Sequence, residues 1–308
     1  MNYEIKIDNA KEEKGTIDLH RLALIADSIR KVSEGALQIR LKGVSLTKGR
    51  KKISLKDALK VSLISIKEGS TVLCLESEKF EKTLIPYQTD LFRWEAQKEL
   101  PQHTPMTLFV KSFQDAMNEN SEQDLLDKPL LRELKQLKSA FLNENETFII
   151  SNQNSVPELK LTKNDFKKIK VLEDEIPESE PVILNGTVES LKYSKLKVQI
   201  KTEEGIVDGF LSDKISPEDI APFWGKGVTI TGTAHFKPRG RSVIEIERVF
   251  EAGKGDEYFS RKPKSETVEQ QLERQIREKG GNQLAEIMGK WPGDETEEEF
   301  DQMLKDLE

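Results

Sequence analysis

Cysteine is nearly missing from this chain. Cys74 is the single one in 308 residues, which excludes an internal disulfide and any multi-cysteine metal site. It lies in the strand-like run TVLCLES, where a buried structural thiol is the expectation. Histidine is almost as scarce: His103 stands 83 and 132 residues from His20 and His235, so it forms no local ligand or base pairing and is expected at the surface. No HExxH, GxSxG or paired CxxC spacing occurs, and the many carboxylates are scattered. General acid-base and metal chemistry both need converging groups, so no catalytic residue, metal or cofactor is assigned. The expectation is a protein that is not an enzyme. Long apolar runs are also lacking, which excludes a membrane-spanning helix. The start MNYEIKIDNAKEEKG has no basic-then-apolar layout of a signal peptide. A cytoplasmic protein with no membrane partner is expected.

Positive charge is not in surplus either. The formal net charge is −7, and its distribution is uneven. From Trp291 onward the closing residues WPGDETEEEFDQMLKDLE carry eight acids against one lysine, so the preceding 290 residues balance to zero. Phe300, Met303, Leu304 and Leu307 recur at i, i+3, i+4, i+7, which a helix would gather on one face opposite the carboxylates. Pro292 and Gly293 break what precedes, Asp294 or Thr296 can cap, and acids fill the first turn, where the helix dipole is positive. Burying four large apolar side chains contributes roughly 6 to 12 kcal/mol, whereas fixing a dozen backbones costs about 1 to 2 kcal/mol each. Such a helix needs a surface. Either it docks on its own domain, as amphipathic helices generally do, or it folds on contact with a partner.

With hydrophobic residues at 36% and charged residues at 33%, the chain suits an α+β protein of two or three domains with modest cores. Residues 1–90 read as a small α/β domain. A strand at Tyr3–Ile7 leads to a helix capped by Thr16 or Asp18 and stopped by Gly35; Leu37, Ile39 and Leu41 then alternate as a second strand. Val61, Leu63 and Ser65 form a hairpin with Val72 and Cys74 across Lys67–Ser70. The cluster Lys48, Arg50, Lys51, Lys52 matches no phosphate-loop pattern and reads as a solvated hairpin tip. Residues 91–176 read as a helical pair with short strands. Thr104-Pro105 opens the first helix and Asp127, with Pro129, the second; strands at 147–151 and 158–161 and a helix at 162–172 follow. The acidic, proline-bearing EDEIPESEPV marks a boundary.

Residues 181–253 give the clearest fold signal. Strands at 182–192, 195–202 and 206–211, a helical turn after Ser216-Pro217-Glu218, and strands at 228–236 and 243–250 resemble the OB-fold, a small five-stranded barrel. Gly186, Gly209 and Gly232 suit bends in closing strands. That resemblance implies a single-stranded nucleic-acid groove, for which the candidates are Lys192, Tyr193, Lys195, Lys197, Phe236, Lys237, Arg239 and Arg241. Glu203, Glu204, Asp208, Glu245 and Glu247 offset the charge, so a structural barrel or protein-docking module is the competing reading.

Residues 256–308 form an extended amphipathic tail. Val268, Leu272 and Ile276 mark one thin helical stripe; Leu284, Ile287, Met288 and Trp291 mark a second; the closing helix is a third. Such a string wraps better than it folds. Its stretch Gly289-Lys290-Trp291-Pro292-Gly293-Asp294-Glu295-Thr296-Glu297-Glu298-Glu299-Phe300 resembles the GxWPGDE[TS]-[DE]-E-E ending of small bacterial antitoxins encoded beside ribonuclease toxins. The stretches GALQIRLKG, KEGSTVLCLES and GVTITGTAHF are similar to longer bacterial proteins of uncharacterised function. The antitoxin resemblance covers about twenty residues and implies a partner-binding tail that neutralises a protein toxin. In this reading Trp291 is the anchor, Phe300, Met303, Leu304 and Leu307 fill an apolar groove, and Asp294, Glu295, Glu298 and Glu299 meet a basic site. The chain's start shows no ribbon-helix-helix or AbrB-like pattern, so operator binding is not part of the expectation.

Overall fold

The computed structural model describes residues 1–10, 12–13, 15–45, 54–67, 71–84, 99–118, 123–152, 158–192, 197–264 and 266–279. The chain divides into two compact units, Met1–Ser265 and Glu266–Glu308. Among the described residues, no helix is long and apolar enough to cross a membrane.

The alternation at the start becomes β1 (Asn2–Asp8), which turns Tyr3, Ile5 and Ile7 into the core. Helix α1 (Leu19–Lys42) begins where Asp18 Oδ1 accepts the Arg21 amide at 3.0 Å. The expected stop at Gly35 and the strand after it are not found: the helix runs through both. Its end is at Gly43, whose φ of 91° closes a left-handed cap on the Ile39 carbonyl at 2.8 Å. After α2 (Ser54–Ala58), the hairpin strands β2 (Val61–Lys67) and β3 (Thr71–Ser77) pair with Leu63 opposite Leu75 and Ser65 opposite Cys74. Cys74 is half-buried. The short α3 (Phe80–Thr83) follows.

Two helices are capped as the sequence spells out. In α4 (Pro105–Met117) the Thr104 hydroxyl accepts the Thr107 amide at 3.1 Å, and in α5 (Lys128–Gln136) Asp127 Oδ1 accepts the Leu130 amide at 3.0 Å. The strands β4 (Thr147–Asn152) and β5 (Leu159–Thr162) and helix α6 (Asp165–Asp174) complete the layer. The stretches 1–90 and 91–176 share one antiparallel sheet of order β2-β3-β1-β4-β5, because β4 pairs directly with β1. One sheet face buries Ile5, Leu73, Phe148, Ile150 and Leu161 in a core shared with α1, α4 and α5.

Several polar groups inside this core are tied to one another. Tyr3 Oη lies 2.7 Å from Thr104 Oγ1 and 2.9 Å from Thr107 Oγ1. Arg21, fully buried, donates to the Ala140 carbonyl, Glu12 and Glu146 while its guanidinium lies 5.5 Å from the Phe148 ring centroid. A charge this deep is tolerated because carboxylates meet it on two sides.

The remaining strands of the first unit are β6 (Glu180–Lys192), β7 (Lys197–Thr202), β8 (Gly205–Leu211), β9 (Gly227–Lys237) and β10 (Arg241–Glu251), with α7 (Pro217–Ile220) between β8 and β9. They close into a barrel of order β10-β8-β7-β6-β9, in which β10 runs parallel to β8. Leu184, Val188, Val198, Ile200, Ile230 and Ile246 fill it. Closure needs the glycine at 232: a Cβ there would lie 2.0 Å from the Glu245 carbonyl oxygen, beside the register shift between Ile246 and Arg248. In the second unit, α8 (Val268–Lys279) is the described element.

Candidate functional site

The barrel meets the sheet-and-helix layer along a seam. Ala234 and Phe236, both on β9, leave the barrel interior and insert into the core around α1, α4 and α5. Next to them Lys237 is 8% exposed and donates from Nζ to the Asp124 carbonyl at 2.7 Å, while Arg241 pairs with the Asp124 carboxylate. Burial lowers the Lys237 pKa, and Lys197 and Arg241 push the same way against Asp127 and Asp124.

Alongside this seam opens a cleft of about 440 Å³ between the end of α1 and the β8–β10 edge of the barrel. Arg40, Lys42, Lys197, Lys237, Arg241 and Lys262 line it, against the carboxylates of Asp124 and Asp208. Both acids are already engaged. Asp124 holds Arg241, and Asp208 Oδ1 accepts from Gln199 at 3.0 Å. A second cavity, of about 730 Å³, lies between α1, α2 and β2 and is lined mainly by aliphatic side chains such as Leu22, Ile25, Ile29, Leu59 and Leu73.

The expected groove residues are therefore dispersed. Phe236 is 2% exposed and offers no ring face to a base, because it belongs to the neighbouring core; Lys237 donates to the Asp124 carbonyl at the seam. Arg239 sits exposed at the tip of the β9–β10 hairpin with φ 62°. Arg241 is tied to Asp124, and Lys197 is exposed at the mouth of the cleft. Tyr193 and Lys195 lie outside the described residues, as does the side chain of Lys192. The basic cluster at 48–52 and the whole expected partner-binding set, from Trp291 to Leu307, also lie outside them.

The structure corrects the expectation for one histidine and adds the surroundings of another. His103 is not a surface residue: its side chain is 12% exposed, and burial together with Lys111 and Arg40 lowers its pKa to about 4. His235 lies between Ser179 and Glu245, at 3.0 Å from the hydroxyl and 3.2 Å from the carboxylate. Serine, imidazole and acid are the parts of a nucleophilic relay. Here the serine belongs to the exposed linker, outside both cavities, so the chain of bonds reads as a clasp fastening the linker to β9. Arg132 and Lys128 of α5 fasten the same linker through Glu178 and the Ile176 carbonyl.

The exposed apolar surface lies elsewhere. On α8, Val268 is 76% exposed and Leu272 and Ile276 are each 46% exposed, forming the stripe that the spacing predicts. Sequence reasoning missed the barrel's own aromatic surface, where Trp224 is 70% and Tyr258 is 88% exposed. Both lie in turns rich in glycine or charge (PFWGKG and GKGDEYF), a composition that could have drawn attention to them. Among the described residues no group of His, Cys, Asp and Glu could hold a metal ion. No family model, curated protein or solved structure matches the chain.

Proposed function

We propose that this is a non-enzymatic binding protein that captures a protein partner through its C-terminal segment, in the manner of the antitoxin tails it resembles. The observation that carries this reading is the α8 stripe. Val268, Leu272 and Ile276 form an apolar face left open to solvent on a helix whose other residues are charged or amides. The sequence repeats the same pattern twice more, through Trp291 and through Phe300–Leu307, with Asp294, Glu295, Glu298 and Glu299 between. An apolar stripe beside a block of acids suits a partner with a hydrophobic groove next to a basic, nucleic-acid-binding site, as a ribonuclease-type toxin has. The OB-like barrel then serves as a folded base for the tail. A nucleic-acid groove that stacks bases on Phe236 is not carried forward, since that ring is buried at the seam.

The test is coexpression with the product of the adjacent gene. The full chain is expected to copurify with it and to relieve any growth arrest it causes, while a chain ending at 290 is expected to do neither and to keep its melting transition. Equal capture by the shortened chain overturns the reading.

A further inference from the structure

We propose that the cleft between the end of α1 and the barrel binds a small phosphate-bearing molecule of about nucleotide size. The described residues that line it all belong to the first unit.

Five cations reach it from separate pieces of the chain: Lys42 at the end of α1, Lys197 at the start of β7, Lys237 and Arg241 on either side of the β9–β10 turn, and Lys262 after the barrel; Arg40 also lines it, but donates to the Ala36 carbonyl at 3.0 Å and has Asp115 and Glu99 as opposing charges. Like charges gathered from such distant positions repel one another, and the described surroundings only partly compensate them. Asp124 is shared by Lys237 and Arg241, Asp208 is turned to Gln199, and Asp213 reaches Lys42 at a loose 3.8 Å. Among the described lining residues the cations still outnumber the carboxylates. A bound polyanion would remove that repulsion and supply acceptors for ammonium groups that carry three donors each.

The buried lysine sharpens the assignment. Lys237 is 8% exposed, its charged form is disfavoured by burial against the opposing charges of Asp127 and Asp124, and among the described residues its ammonium donates to the Asp124 carbonyl at 2.7 Å. An anion seated beside it would stabilise the ammonium and satisfy donors that one carbonyl leaves over. Size and lining narrow the ligand further. A volume of about 440 Å³ lies within the range of small-molecule sites and is too small for a folded partner. Phe210 and Val243 form an apolar wall, close-packed on Gly43 of the α1 cap. An organic group can rest there while phosphates face the lysines.

Isothermal titration of the full chain at low salt with inorganic pyrophosphate, ADP, GDP and citrate tests the assignment, with a short oligothymidylate as a further probe. Saturable one-to-one binding of at least one nucleoside diphosphate is expected, tighter than pyrophosphate and citrate and weakened by added salt. Lys197 and Lys262 are half-buried or exposed and outside both hydrophobic cores, so the double substitution Lys197→Ala/Lys262→Ala should fold normally and lower that affinity by about 10-fold or more. Lys237→Met is expected to lower it further. No measurable heat with any of the small anions overturns the proposal, as does affinity unchanged in the double variant. Binding of the oligothymidylate alone also overturns it, in favour of a nucleic-acid surface.

Discussion

At the scale of single residues, burial decides which polar groups respond to their surroundings. His103 shows this most directly. Its imidazole is half-buried near the charges of Lys111 and Arg40, which Glu99 opposes, and its pKa falls from the usual 6.5 to about 4. A folded pKa below the unfolded one means that acid favours the unfolded chain. The unfolded state takes up the proton first as pH drops through 6.5, and stability is lost until the folded protein also protonates near 4. Unfolding by urea at pH 7 and at pH 4.5 should show a smaller acid-induced loss in His103→Gln than in the unaltered chain. Equal losses in the two proteins would mean that this imidazole is solvated. No motif surrounds the position, so the sequence alone predicts a surface histidine. Its surroundings bring together the charges of Lys111 and Arg40 from two different helices, and that is invisible to local spacing.

At the scale of elements, α1 shows how a short-range pattern loses to tertiary packing. Glycine lowers helix stability by about 1 kcal/mol relative to alanine, and Leu37, Ile39 and Leu41 alternate as a strand would. The helix nevertheless continues, since Ala36, Leu37 and Ile39 are all buried and a helix enclosed on several sides has no single apolar stripe to count. Gly35 is there for closeness. A Cβ at that position would meet Leu130 Cδ1 at 3.1 Å and Ser45 Cβ at 3.3 Å, where α5 crosses. Asp127 locks the same crossing, accepting from the Ser45 amide and hydroxyl at 2.8 and 2.6 Å while it caps α5. Gly35→Val is therefore expected to destabilise the protein by about 3 kcal/mol through overpacking, read as a lower urea midpoint with an unchanged slope. A cost within a few tenths would show that the two helices can part freely. The caps at Thr104 and Asp127 and the barrel strands were legible because each rests on local chemistry: a hydroxyl or carboxylate before proline, or alternation bounded by turns. The Ser45 contact was not, since it joins residues 82 apart.

At the scale of the whole first unit, the decisive contact is between two folded layers, and no periodicity announces it. Phe236 sits in a strand whose alternation places Ala234 and Phe236 on one face, a pattern equally compatible with barrel interior, base stacking or an outer contact. The structure takes the last course and puts both side chains into the core around α1 and α4. That choice removes a stacking ring, sets the depth of Lys237 and makes the end of α1 one wall of the basic cleft. It also couples the stabilities of barrel and sheet layer. Removing a buried phenylalanine generally costs about 3 to 5 kcal/mol. Here the loss falls on the contact between layers rather than within either one, so Phe236→Ala should split one calorimetric transition into two as well as lower the first. Ile230→Ala, which empties a site inside the barrel core, should cost about 2 to 5 kcal/mol without such a split at equal loss of stability. If both variants melt in a single step, the barrel and the sheet layer are held together by the Asp124 and linker contacts instead, and Phe236 is only one core side chain among many.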